Sequence, residues 1–380
     1  MDNGELHHIS PVRLRKIDFR IIMTLILVTV LVVSLAFSNG ANDVSKGVAT
    51  LFGGGLTQSR LALFWGMSGN VFGGLMAILF GRSLVQTFGG GFLIPRFDEK
   101  ESFMVTVLLG AVLWVFFATI KGWPVSTTHA LIGSIMGSAL VFAGIGSFKW
   151  GSLWGKAILP LLLSPLLSMG MVYVLWKIRR TLIQTSWYSR FFYRNIGGKK
   201  TFGGGEPNSN KVEWKIERMV HGFHWVTAGA TSFARGLNDV PKMAALLIVA
   251  WSGSYPNSTG KEFAISIILV SVAMGFGGIW KGLRILKVLS HQVTQLTPST
   301  GLIANVSIAL PTLLASPFGL PVSTTHVSAG ALFGIRFMSG KSAPENDALQ
   351  SILWAWLITF PATAFISGFF ALISLFFSGS

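Results

Sequence analysis

The chain has no cysteine among its 380 residues, which excludes disulfides, thiolate metal sites and cysteine nucleophiles. Charge is scarce as well. Only 12% of the residues are charged while 51% are hydrophobic, and a soluble domain carries about 25% charged residues. There is too little polar side chain to face water over a whole surface, so the solvent around most of this chain is lipid. Neither a GxxxxGK[ST] loop nor an HExxH helix occurs, which removes two common sequence marks of hydrolytic chemistry.

What is present is a set of apolar runs. Ile21–Ser38, Leu61–Phe80, Ser102–Ile120, Ala157–Trp176, Phe263–Trp280, Gly301–Pro317 and Ile352–Phe377 each approach the roughly 20 residues that a spanning helix needs. The fold class expected is an all-α polytopic membrane protein. The 30 Lys+Arg outnumber the 14 Asp+Glu, a balance that in a soluble protein would point to nucleic acid. Here the bases crowd between the apolar runs, where the positive-inside rule accounts for them, so no nucleic-acid partner is expected. Arg13, Arg15 and Lys16 precede an apolar run ending in Ser34-Leu35-Ala36, which imitates a cleaved signal peptide. We read it as a retained first helix, because the residues from Phe37 onward are half of a matched pair.

The match is internal. Phe37-Ser-Asn-Gly-Ala-Asn-Asp-Val-Ser-Lys46 aligns with Phe233-Ala-Arg-Gly-Leu-Asn-Asp-Val-Pro-Lys242, and Pro124-Val-Ser-Thr-Thr-His129 returns letter for letter as Pro321-Val-Ser-Thr-Thr-His326. Two motifs in the same order at nearly equal offsets mark a duplication. The organisation read from this is a tail at 1–20, a first transmembrane repeat at 21–176, a basic cytoplasmic linker at 177–218 and a second repeat at 219–377. The linker holds ten Lys/Arg and three Glu. That places it in the cytoplasm and the N-terminus outside, although Arg13, Arg15, Lys16 and Arg20 pull the other way.

Of the acidic residues, twelve lie in tails or polar loops, and Asp43 and Asp239 alone sit at matched places flanked by apolar sequence. A carboxylate at membrane depth costs at least ~3 kcal/mol and usually marks an ion or proton pathway. The plainer alternative, an Asx turn or cap at an interface, loses weight because the feature is duplicated. Gly-x-Asn-Asp (Gly40 to Asp43, Gly236 to Asp239) is a poor helix interior, so a break in the helix is expected there, tolerable where it lines a cavity. Lys46 and Lys242 stand three residues after each Asp, as local ion pairs or as contacts to an anion. In Pro-Val-Ser-Thr-Thr-His the proline can open a helix, and the hydroxyls of Ser126, Thr127 and Thr128, like those of Ser323, Thr324 and Thr325, then lie beside free amides at a helix start. Such a start suits a phosphate-like anion, although Ser and Thr can also merely cap it. Two copies imply paired half-helices meeting near the membrane middle. His129 and His326 read as packing residues before proton carriers.

These residues resemble a known family. Gly-Ala-Asn-Asp-Val at 40–44, Gly-Leu-Asn-Asp-Val at 236–240, the paired Pro-Val-Ser-Thr-Thr-His strings and Gln295-Leu-Thr-Pro-Ser-Thr-Gly301 are similar to the inorganic phosphate transporter family, over residues 21 to 377. The resemblance implies two inverted repeats with broken or re-entrant helices, and symport of inorganic phosphate with sodium ions or protons. It makes Asp43 and Asp239 the essential acids; beside them Asn42 and Asn238 offer neutral oxygen ligands of the kind a hard cation such as sodium prefers. It places Ser126, Thr127, Thr128, Ser323, Thr324 and Thr325 around the anion, and on the anion-contact reading of the residues themselves Lys46 and Lys242 join them. Lys46 departs from the Asn of many members, and Asn70 stands where some sodium-coupled members carry Glu. The large polar central domain of animal relatives is missing, which points to a prokaryotic inner membrane. No cofactor is implied beyond the transported ions. The partners are those ions and the bilayer, with a homo-oligomer left open.

Two rivals remain. A permease for sulfate or another tetrahedral oxyanion would use the same scaffold. The paired carboxylates favour phosphate, which can share protons with them, whereas sulfate essentially cannot. A membrane-embedded phosphatase is the remote alternative; its carboxylates would have no reason to fall in separate repeats.

Overall fold

The computed structural model describes residues 19–94, 100–184, 209–252, 260–292, 296–340 and 346–378. Among them every extended element is helical. The first half carries α1 (Phe19–Gly53), α2 (Ser59–Phe80), the short α3 (Arg82–Phe88), α4 (Lys100–Lys121) and α5 (Thr127–Ala143). The one-turn α6 (Trp150–Leu153) then runs through a π-turn into α7 (Leu159–Gln184). The second half carries α8 (Ser209–Ser252), α9 (Gly260–Lys287), α10 (Pro298–Ala315), α11 (Thr324–Ser339) and α12 (Asn346–Ser378). Of the basic stretch 177–218, residues 185–208 lie outside the described residues, as does the tail 1–18.

Seven helical stretches among the described residues are long and apolar enough to cross a bilayer, and each coincides with one of the seven runs read from the sequence. The 44-residue α8 is an eighth long helix that hydropathy misses, because Arg235, Asp239 and Lys242 interrupt its apolar half. Side-chain placement is that of a protein in lipid. Large apolar groups such as Phe365 (75% exposed) and Trp280 (70%) face outward. Asn42, Asp43, Lys46, Arg235, Asn238, Asp239 and Lys242 are all buried.

The halves pack on each other reciprocally. α1 lies on α9 and α2 on α8, while α5 packs against α12 and α11 against α7. Glycines show the same reciprocity at the crossings. A Cβ on Gly40 would lie 1.7 Å from the Met274 carbonyl oxygen, and one on Gly236 would lie 1.9 Å from that of Asn70. Gly277 meets the Phe37 carbonyl and Gly73 the Phe233 carbonyl, each at 1.9 Å. Only a residue without a side chain lets helix backbones approach this closely. Because each contact has its counterpart in the other half, the duplication is structural as well as sequential.

The expected break at Gly-x-Asn-Asp does not occur: α1 and α8 run on through Asn42-Asp43 and Asn238-Asp239. These side chains would destabilise a helix by competing for its own backbone. Instead Asn42 and Asn238 are engaged by the chain ahead of α5 and α11, and Asp43 and Asp239 by the bases Lys46, Arg235 and Lys242, so their helices stay intact. The interruptions fall there. Trp123 to Val125 and Leu320 to Val322 are non-helical, following Gly122 (φ 78°) and Gly319 (φ 71°). The short helices that start after them have 17 and 16 residues, about 25 Å each at 1.5 Å per residue, under the ~30 Å of a bilayer core.

Candidate functional site

The N-termini of α5 and α11 meet at the centre, where Ser323 Oγ donates to Ser126 Oγ at 2.9 Å. Both serines are N-caps, accepting from the backbone N–H of His129 and His326. For the serines the capping role is therefore the observed one. The His129 and His326 rings stack at 4.4 Å, and His326 stacks on Trp356 at 4.0 Å, which is packing.

Around these helix starts the ion pairs repeat. Lys46 Nζ lies 3.0 Å from Asp43 Oδ1, donates to the Val125 carbonyl at 2.9 Å and reaches Thr325 Oγ1. Lys242 Nζ lies 2.8 Å from Asp239 Oδ1, donates to the Val322 carbonyl at 2.9 Å and to Thr128 Oγ1 at 2.8 Å. Each lysine thus ties its own aspartate to a carbonyl of its own half and to a threonine of the other half. Of the two readings of the lysines, the local ion pair is the one observed. Asn42 donates to the Trp123 carbonyl at 2.8 Å and accepts from Val125 N–H at 3.2 Å. Asn238 does the same with Val322, at 2.9 and 3.4 Å. In this state the two carboxamides clip the non-helical segments in place.

Among the charged groups of the cluster the symmetry breaks at one pair of positions. Where the first half has Asn39, the second has Arg235, a fully buried guanidinium. Its Nη1 lies 2.7 Å from Asp43 Oδ1, and its Nη2 donates to the Thr324 carbonyl at 3.0 Å and to Ser328 Oγ. Thr324 Oγ1 stands 3.2 Å from Asp43 Oδ1 and 3.2 Å from Asp239 Oδ2. One hydroxyl carries one proton, so it can donate to only one of these carboxylates at a time. Its counterpart Thr127 donates instead to Asn39 Oδ1. Asn70, on α2, makes none of these contacts: it is buried, and among the described residues neither end of its carboxamide has a partner.

All the residues singled out from the sequence, Asn70 excepted, are thus brought to one centre. The sequence reading missed Arg235, Asn39 and Ser328. A signal for Arg235 existed, since it is a base one residue before the duplicated glycine in an apolar stretch, and bases at membrane depth are as costly as acids. Its effect is large. Lys46, Lys242 and Arg235 set three formal positive charges against two carboxylates, leaving a buried site with one net positive charge between two helix N-termini, both of which favour an anion.

A family model described as "Phosphate transporter family" matches residues 39–367. The chain belongs to the phosphate transporter family. A Thermococcus kodakarensis protein named as a phosphate permease is 27% identical, with 90% of this chain and 96% of that one covered. A Rhizobium meliloti protein named as a low-affinity inorganic phosphate transporter is 28% identical, covering 90% and 94%. Among solved structures, one titled "The sodium-dependent phosphate transporter" superposes with a TM-score of 0.77 at 26% identity, over 93% of this chain and 99% of that one. This member of the family is a membrane transporter, not an enzyme, which disposes of the phosphatase reading.

Proposed function

We propose that the chain is a sodium-coupled symporter of inorganic phosphate in the cytoplasmic (inner) membrane. The anion would bind between the starts of α5 and α11, among Ser126, Thr127, Thr128, Ser323, Thr324, Thr325, Lys46 and Lys242. The coupling cation would bind at Asp43 and Asp239, with Asn42 and Asn238 as neutral oxygen ligands, a donor set that suits a hard cation. The observation that carries the reading is the buried cluster of three bases and two acids at a paired helix start. The solved relative titled a sodium-dependent transporter supports sodium over protons. Charge decides the need for a cation. Divalent phosphate entering a site with one net positive charge leaves one uncompensated negative charge. Like charges 4 Å apart cost about 4 kcal/mol each at an effective dielectric of 20, so one sodium ion per divalent phosphate is the smallest number that restores neutrality.

The test is uptake of radiolabelled phosphate into proteoliposomes with sodium and proton gradients imposed separately. Sodium-driven accumulation is expected. Accumulation driven by the proton gradient alone would transfer the coupling to protons, and accumulation of sulfate at the same rate would favour the broader oxyanion permease.

The repeats are read as inverted across the membrane, with the basic stretch 177–218 in the cytoplasm and the N-terminus outside. The cysteine-free chain allows Ser10→Cys and Ser209→Cys to be labelled with an impermeant reagent. Labelling from opposite sides is expected, and labelling from one side would rule out the inversion.

A further inference from the structure

The two halves agree in their ion pairs and differ in what flanks them. One turn beyond Lys46 on α1, Thr50 donates its hydroxyl to Asn305 Oδ1 at 2.8 Å. The Asn305 carbonyl accepts from Thr231 at 3.1 Å, and its Nδ2 lies 3.4 Å from Thr227 Oγ1. One turn before Thr227 on α8 is His224, which is fully buried and, among the described residues, has no partner for either ring nitrogen. Its ring occupies the space beside Gly301, where a Cβ would lie 2.3 Å from it. These groups, on α1, α8 and α10, lead from the central cluster toward the membrane face at which α8 begins.

The offsets of 196 and 197 that align the duplicated motifs give each group a counterpart in the other half. Thr50 corresponds to Leu246, Asn305 to Leu108, Thr231 to Leu35, Thr227 to Leu31 and His224 to Val28. All five counterparts are buried in a single apolar cluster. At these five positions one side of the centre is hydrogen-bonding where the other is aliphatic; the reverse holds at Thr106 and Ser138, which bond each other at 2.9 Å opposite Ile303 and Ile335. A buried polar group without a partner costs about 1–3 kcal/mol, and the apolar set shows that this scaffold packs well without such groups. Packing alone therefore does not account for the polar set, and the unpartnered imidazole at its outer end is a group that water would satisfy.

We propose that the string Thr50–Asn305–Thr227–His224 is the route by which the coupling sodium and its water pass between the Asp43–Asp239 cluster and the face where α8 begins. The aliphatic counterparts form the seal toward the opposite face. The identity of the ion rests on the symport reading above; the one-sidedness of the route does not.

Two experiments on the full chain in proteoliposomes test it. The first installs the counterpart residue, as Asn305→Leu. Equilibrium binding of radiolabelled phosphate to the purified variant is expected to stay within about twofold of wild type, while sodium-driven uptake falls at least tenfold. Wild-type uptake rates in this variant would overturn the route. The second needs no loss of function and covers the case in which that variant fails to fold. Thr50→Cys and Asn305→Cys are expected to react with a small cationic thiosulfonate at least tenfold faster than Leu246→Cys and Leu108→Cys. Equal rates on the two sides would overturn the proposal. Wild-type uptake that ignores sodium would instead sink the symport reading, and the labelling comparison would still decide the route.

Discussion

Replacing Arg235 by Gln removes the charge that breaks the symmetry of the site while keeping much of the side chain's bulk. The guanidinium holds Asp43 at 2.7 Å and the carbonyl of Thr324 at 3.0 Å, beside the first turn of α11, and we take about 5 Å as its separation from an anion seated at that helix start. At that distance and an effective dielectric of 20, the attraction to one negative charge is about 3 kcal/mol. The adjacent Asp43 carboxylate offsets part of this, leaving about 1.5–3 kcal/mol, a loss of roughly ten- to hundredfold in affinity. The variant also leaves Lys46 as the one base paired with Asp43, and breaking a buried pair destabilises by about 3–5 kcal/mol, so the fold must be measured in the same experiment. Equilibrium binding of radiolabelled phosphate to detergent-purified protein, read beside the size-exclusion profile, gives both quantities. Arg235→Lys should recover part of the affinity, since it restores the charge without the two-pronged geometry. A monodisperse Arg235→Gln protein that binds phosphate with wild-type affinity would refute the idea that the third base offsets the anion's charge.

Thr324→Val should weaken phosphate binding more than Thr127→Val: the first loses a hydroxyl beside two carboxylates, where a bond to a charged group is worth about 1.5–3 kcal/mol, and the second one beside the neutral Asn39, worth about 0.5–1.5 kcal/mol. Equal dissociation constants for the two variants would contradict the asymmetry. Asp43→Asn and Asp239→Asn should each abolish gradient-driven uptake in proteoliposomes, and persistent accumulation in both would free the carboxylates from any coupling role. Gly236→Ala places a methyl 1.9 Å from the Asn70 carbonyl oxygen, so folded protein recovered after extraction should fall severely; a wild-type yield and melting temperature would show that the α2–α8 crossing can widen freely.

Much of this was legible in the sequence because duplication repeats each signal. Every spanning run except α8 follows from hydropathy, which is a sum over about 20 residues and tolerates local errors. It failed for α8 because the residues that make the site are those that spoil the average. The Asn-Asp pairs and the Ser-Thr-Thr strings could be assigned to one centre because each copy vouched for the other. The same dependence on pairs hid Arg235, which has no twin. The intact helices at Asn42 and Asn238 were not foreseeable from local propensity. Whether an Asn side chain turns on its own backbone or reaches another segment is settled by tertiary neighbours, here Trp123, Val125 and Val322.

The pairing of each aspartate with a lysine three residues on bears on how the chain enters the bilayer at all. Arg235 is made 192 residues after Asp43, so for that interval the acid of α1 has none of its partners from α8 or α11. A bare ionised group at membrane depth costs about 3 kcal/mol on insertion scales. With Lys46 one turn away on the same face, the acid and base of α1 neutralise each other within the helix, and Lys242 does the same for Asp239 in α8. Each long helix therefore carries its own counter-ion through biogenesis, and assembly keeps both pairs while adding partners around them. Within the membrane part of α8, Arg235 and Lys242 share the one acid Asp239, so one base is in excess, and Asp43 of the first half takes it up when Arg235 docks.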